Sequence, residues 1–247
     1  MTAVFAQLRR ELVAFFLSPI AYVLLAVSML VNGITFVLII DFLSDPRAPH
    51  GAAMQMLFGE TVFYYIFILA AASMITMRSL AEERHAGTLE SLLTAPVDET
   101  QVVLSKYLAA LAFYVVLWLP TAIYPAILAG YSDPDPGPIL SGYLGTLGIG
   151  AMFLANGLFF SAVTRSQIVA ALLSLALNFS LFLLPIFVYV SPSAGEGSLL
   201  SHMNLWAHME DFGRGIVDIR PLVYYASVTA FALFCTVQVL QARRWRG

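Results

Sequence analysis

Leu12–Ile40, LVAFFLSPIAYVLLAVSMLVNGITFVLII, carries no charged side chain from end to end. A helix needs about 20 mostly apolar residues to cross a hydrocarbon core of about 30 Å. This stretch exceeds that need, and five more uncharged runs follow it: Thr61–Met77, Tyr107–Ser132, Pro136–Thr164, Ser166–Gly195 and Pro221–Ala242. The pattern predicts an all-α integral membrane protein with six transmembrane helices, near Ile20–Ile40, Thr61–Met77, Tyr107–Ala129, Ile139–Ala162, Ile168–Val190 and Leu222–Leu240. Residues 1–247 read as a single membrane domain.

Composition agrees. Hydrophobic residues are 60% of the chain and charged residues 11%, against roughly 45–50% and about 25% in soluble proteins. A soluble domain of this length could not hide so much apolar surface. A net charge of −3 gives no reason to expect nucleic acid as a partner. The placement of charge says more than its sum. With both termini on the cytoplasmic side, Arg9, Arg10, Arg78, Arg84, Lys106, Arg165, Arg243, Arg244 and Arg246 fall inside, and only Arg47, Arg214 and Arg220 fall outside. Retained inner positive charge is the usual determinant of orientation.

Before the first span, Phe5, Leu8, Leu12, Phe15 and Phe16 recur at steps of three and four, with Gln7, Arg10 and Glu11 around the other side. This predicts an amphipathic helix in the inner interface; the alternative is that the first span simply starts early. A secretory signal would need basic residues directly before a short apolar core and a small-residue cleavage site. The single cysteine, Cys235, builds neither an internal disulfide nor a metal cluster.

The second span is short, and the apolar residues Ala52–Phe58 predict an earlier start that carries Glu60 at the outer interface. Pro120 and Pro125 should kink the third span and Pro185 the fifth, since proline removes a backbone donor. Asp133–Pro138 reads as a rigid turn. In the outer segment 191–220, Met203, Trp206, Met209, Phe212 and Ile216 fall on helical steps among charged residues that include Arg214. That predicts short helices at or dipping into the outer interface, with Trp206 as an anchor.

The longest cytoplasmic insert is Arg78–Lys106, RSLAEERHAGTLESLLTAPVDETQVVLSK. Gly87 breaks the helix descending from the second span. Thr88 caps a two-turn helix with Glu90 in its first turn, where the helix dipole favours an acid. Leu89, Leu92 and Leu93 give that helix an apolar face, and Pro96 ends it. Asp98 then caps the helix into the third span, with Gln101 closing a loose capping box. Physically the insert is either a docking surface for a soluble partner or a solvated loop with satisfied caps.

Glu82-Glu83-Arg84-His85-Ala86-Gly87-Thr88-Leu89-Glu90-Ser91-Leu92-Leu93-Thr94-Ala95-Pro96-Val97, followed by Lys106 at the start of the next span, closely resembles the cytoplasmic signature of ABC-2 type transporter permeases. Arg10-Glu11-Leu12 with Ser18-Pro19 is similar to the family's opening. Glu210–Asp218 resembles the subgroup of gliding-motility-associated permeases. The resemblance implies a six-span permease subunit that moves a substrate, in the export direction, across the bacterial inner membrane. It implies pairing with a second permease copy or a paralogue, and docking on two copies of a soluble ATPase. It assigns the coupling element to Glu82, Glu83, Arg84, Gly87, Thr88, Glu90, Leu92, Leu93 and Pro96. Arg84 and Glu90 would make charged contacts there, and Leu92 and Leu93 would fill the ATPase cleft. The interfacial helix, with Phe5, Leu8, Arg10, Glu11 and Leu12, would assist. Membrane lipid is a partner throughout. Some relatives pass mechanical work to extracytoplasmic partners, so an accessory protein on the outer side is a further partner of this class.

The chain should not hydrolyse ATP itself. Its only lysine, Lys106, sits in no G-x-x-x-x-G-K-S/T loop, the element that holds nucleotide phosphates. ATP and magnesium are therefore expected on the separate ATPase, with no cofactor, metal or catalytic residue on this chain. The histidines form no H-E-x-x-H pair, and no serine sits in G-x-S-x-G. A secondary transporter or channel, the rival reading, usually places ionisable groups inside its spans. Here the interior polar groups are Asn32, Asn156, Asn178 and Gln238, which read as helix-packing hydrogen bonds. Gly142, Gly145, Gly148 and Gly150 in the fourth span permit a close helix contact, either within one subunit or at a dimer or gate.

Overall fold

The structure, a computed structural model, describes residues 2–44, 53–85, 87, 98–190 and 201–244. Among these residues every regular element is a helix. Six helical segments are long and apolar enough to cross a membrane: Pro19–Leu43, Val62–His85, Glu99–Ala129, Pro136–Val163, Gln167–Leu184 and Ile219–Ala242. All six coincide with the spans expected from sequence.

Helix α1 (Thr2–Leu17) is separate from α2 (Pro19–Leu43). Ser18 between them is extended (ψ 129°), as the residue before a proline prefers, and Pro19 opens the new helix where its missing N–H costs nothing. The uncharged run 12–40 is thus two helices. The apolar face expected of α1 divides: Phe15 stacks on Phe113 of α6 (Glu99–Trp118) with centroids 5.4 Å apart, while Phe5 stays exposed.

The second span begins later than residues 52–58 promised. A short α3 (Ala53–Gln55) runs into a π-helical turn, Met56–Glu60, and Thr61 is extended before α4 (Val62–Thr76). Side chains hold the break: Thr61 Oγ1 donates to the Met56 carbonyl at 2.9 Å, and the Tyr65 hydroxyl to the Gly59 carbonyl at 3.0 Å. Gly59 lies under α10 (Leu205–Gly213), where a Cβ would come within 3.2 Å of the Met209 carbonyl oxygen.

Pro120 does interrupt the third span. A 3₁₀ turn, Leu119–Ala122, separates α6 from α7 (Ile123–Ala129). The fifth-span helix, α9 (Gln167–Val190), continues past Pro185. The turn expected at 133–138 ends sooner: α8 (Pro136–Val163) starts within it, because first-turn prolines lose no helical bond, and Asp135 caps it by accepting from Gly137 N at 2.9 Å.

α8 is the central helix, packed by α4, α6, α9, α10 and α11 (Ile219–Arg244). Its glycines explain how. A Cβ on Gly142 would strike the Phe58 ring, on Gly150 the Tyr114 ring, on Gly145 Phe212 and Met209 at 2.7 and 2.8 Å, and on Gly148 Tyr225 at 2.7 Å. Of the two readings of this stripe, the dimer or gate contact gives way to packing within one subunit, since the chain's own aromatic side chains fill all four notches.

Interior polar groups are mostly satisfied between helices. Asn156 donates to Asn178 Oδ1 at 3.0 Å, linking α8 to α9. The Tyr64 and Thr146 hydroxyls lie 2.6 Å apart, linking α4 to α8. Asn32 bonds within its own helix, to the Ser28 carbonyl at 2.8 Å. Gln238, expected to bond between helices, is exposed.

At the end of the bundle where α8 begins, α10 packs one face against the other helices. Leu205, His208, Met209 and Phe212 are buried, and Trp206, 38% exposed, stacks on Tyr65 and packs on Phe182. Arg214 pairs with Glu210 one turn back. Ile216, expected on the same apolar face, lies beyond the helix and is exposed, because Gly215 (φ +87°) turns the chain away. His208 Nδ1 lies 3.2 Å from the Tyr225 hydroxyl. Burial lowers the His208 pKa, against opposing pulls from Asp211 and Asp218 and with His202 close by. A histidine held neutral stabilises the fold above its unfolded pKa of about 6.5, and that stability is lost as pH falls through it toward the folded value. The melting temperature in detergent should therefore drop on acidification below about pH 6.5, and His208→Gln should flatten that limb. An unchanged acid limb in the variant would show that other groups cause it.

Candidate coupling site

At the other end of the bundle, α4 stops at Thr76 and the chain makes a turn, Met77–Leu80, before the short α5 (Ala81–His85). Gly87 adopts φ +71°, a conformation that favours glycine, two residues past the end of α5; the helix expected to descend from the second span as far as Gly87 is already interrupted by the turn Met77–Leu80. The acids Glu82 and Glu83 sit in the first turn of α5 and Arg84 and His85 in the last, the order that its dipole favours.

The start of α5 is capped from another helix. Ser161 Oγ of α8 accepts from both Leu80 N and Ala81 N at 3.0 Å and donates to the Met77 carbonyl at 3.2 Å. Helix starts leave backbone N–H groups unpaired, and one hydroxyl brought from some 80 residues away meets two of them. Arg84 returns the arrangement: its Nη1 donates to the carbonyls of Ala162 and Thr164, at 2.9 and 2.6 Å. A guanidinium on the last carbonyls of a helix is favourable on both hydrogen-bond and dipole grounds. Each helix thus caps the other.

Glu83 points the opposite way around α5. Its Oε1 accepts from Lys106 Nζ of α6 at 2.9 Å, and the same ammonium donates to Glu11 Oε1 of α1 at 3.0 Å. Arg10 lies against both carboxylates, 3.0 Å from Glu11 and 3.5 Å from Glu83. Lys106 is only 3% exposed. Two bases and two acids from three helices close a network that is neutral overall, which is what permits charges to be buried.

Glu82 faces outward, 54% exposed, with Arg78 3.9 Å away; Arg78 also donates to Ser18 Oγ at 3.3 Å. Of the predicted coupling residues, Glu83 is thereby brought together with Arg10 and Glu11, while Glu82 turns to Arg78 and Arg84 to the end of α8. Phe5, Leu8 and Leu12 lie on the same α1, outside the ion network. Thr88, Glu90, Leu92, Leu93 and Pro96 lie outside the described residues. Asp98 stands at the start of α6 with extended backbone (ψ 143°), but its side chain makes no capping bond; its backbone carbonyl instead accepts from Gln101 N at 2.9 Å, so no capping box forms. Trp206, Phe212 and Arg214 belong to the far end of the bundle. Ser161 was missed, having no signal in the sequence. Lys106 offered one: a lone lysine inside an apolar helix needs counter-charges. Among the described residues no three His, Cys, Asp or Glu side chains gather to hold a metal ion.

Six apolar spans, one of them a glycine-notched central helix, define a multi-pass transmembrane protein. The chain belongs to the ABC-2 family of transporter proteins, whose family model matches residues 21–241. It is a permease component of an ABC transporter, a family whose membrane component partners an ATPase subunit. A comparison with curated proteins gave no match.

Proposed function

We propose that this chain forms half of a twelve-span pore in the bacterial inner membrane, paired with a second copy or a paralogue. In this reading it exports its substrate using two separate ATPase subunits that bind ATP and magnesium. The residues 1–247 act as one membrane domain with both termini cytoplasmic. The ATPases dock at the end that carries α1 and α5, through Glu82 and the segment Gly87–Pro96. The observation that carries the reading is the α5 arm: a charged helix outside the apolar run, anchored to two spans and to α1, leading directly into the segment that resembles the family signature. The concentration of Lys and Arg at that end supports the orientation. Glu83 and Arg84 anchor the arm to its own chain, which leaves Glu82 and Glu90 to meet the ATPase.

Glu210–Asp218 supports membership of the gliding-motility-associated subgroup. A second reading, delivery of mechanical work to an accessory protein on the outer side, draws on α10, which is wedged against α8 and α9 there. A secondary transporter or channel draws less support, because Asn156 and Asn178 bond to each other rather than lining a path.

Pull-down from native membranes in detergent, with mass spectrometry of what co-elutes, tests the proposal. The wild type is expected to retain a Walker-containing ATPase and a Glu90→Arg, Leu92→Asp variant to lose it. Retention by the variant would move the docking site to α1 or elsewhere. Absence of an ATPase from both would overturn the permease–ATPase assembly.

A further inference from the structure

We propose that Lys106 is a positioning residue that sends the arm's movement sideways into α1 and α6 rather than up the span from which the arm hangs. This rests on the ATPase docking proposed above.

The covalent route is the weak one. Between α4 and α5 the chain passes through the turn Met77–Leu80, so no continuous helix carries a push from the arm into α4. The lateral routes are dense. Toward α8 the arm holds the Ser161 cap and the two Arg84 bonds. Toward α6 and α1 it holds Glu83, through a lysine buried too deeply for water to replace the contact easily. An ion pair screened by solvent transmits little. One ammonium that bridges two carboxylates at 2.9 and 3.0 Å from separate helices fixes their relative positions. The Phe15–Phe113 stack ties α1 to α6 a second time, two turns beyond Lys106. Lys106 touches neither substrate nor nucleotide in this scheme; it acts through Glu83.

Spin-label distance measurements on the whole permease–ATPase complex in lipid nanodiscs test this. Labels are placed in pairs at exposed positions, in a Cys235→Ser background: His85→Cys on α5 with Arg9→Cys on α1, with Val163→Cys on α8, or with Met74→Cys on α4. Each pair is read without nucleotide and after vanadate trapping. In the otherwise wild-type chain the 85–74 distance is expected to change on trapping, while 85–9 and 85–163 keep their distances. Glu83→Gln, which keeps the side-chain shape and removes the charge, is expected to broaden the 85–9 distribution before any nucleotide is added and to let it shift on trapping, with 85–163 still narrow. Lys106→Met should do the same more strongly where it folds. A narrow, unmoving 85–9 distribution in Glu83→Gln would overturn the proposal, as would a wild-type 85–9 shift as large as that of 85–74. Loss of the ATPase from the purified wild-type complex would instead remove the docking reading and the force path with it. The nucleotide-free widths separate that failure from a failure of the Lys106 link.

Discussion

Gly150→Val is expected to destabilise the bundle by about 1–3 kcal/mol, the range for overpacking a filled core, and by more if neighbouring spans cannot part. The Cβ alone collides with the Tyr114 ring. Tyr114 is wholly buried, and its hydroxyl donates to the Thr146 carbonyl at 3.2 Å, so the ring cannot swing aside without breaking that bond. Small residues at membrane helix crossings let backbones approach where no hydrophobic force pulls them together. Gly33→Ala is the matched control. A Cβ there meets the Tyr124 hydroxyl at an ordinary 3.5 Å, and replacing a helix-interior glycine by alanine stabilises by roughly 0.5–1 kcal/mol. The melting temperature in detergent should fall steeply for the first variant and hold or rise for the second. Equal melting of both would mean that α8 does not approach α6 as described.

Lys106→Met should be the most damaging single charge removal in the chain. It leaves Glu11 and Glu83, each mostly buried, as like charges sharing Arg10. Removing one partner of a buried ion pair costs about 3–5 kcal/mol, whereas replacing the whole set by neutral groups is often nearly neutral. Arg10 remains, so the lower end of that range is expected. Adding Glu11→Gln and Glu83→Gln to Lys106→Met should then recover much of the loss. Thermal unfolding in detergent reads both effects. A triple variant less stable than Lys106→Met alone would show that the carboxylates are held by something other than the lysine.

How much of this was legible beforehand varies with the range of the interaction. The six spans, the separate α1, the left-handed backbone at Gly87 and the interruption at Pro120 depend on runs of apolar residues or on the backbone limits of glycine and proline. Those are local properties, and the chain carries them at any stage of folding. Local rules misjudged Asp98, whose side chain makes no capping bond. The helix predicted over residues 88–95 lies outside the described residues.

The candidate site was legible in its members and not in its geometry. Glu83, Arg84, Arg10 and Glu11 could be named from their resemblance to a family pattern, but nothing in their spacing said that Arg84 turns to the end of α8 while Glu83 turns to Lys106. Ser161 could not be named at all. The glycines of α8 were visible as a stripe, yet only the packed bundle puts Phe58, Phe212, Tyr225 and Tyr114 into the notches. By itself the sequence determined that this chain crosses a membrane six times, where each crossing lies, and that its charge is kept between the apolar runs, because transfer from water to lipid acts on each segment separately. Only the tertiary structure decided which buried charges meet and which helix ends cap each other, because contacts among α1, α5, α6 and α8 join residues far apart in the chain and exist only once those helices pack.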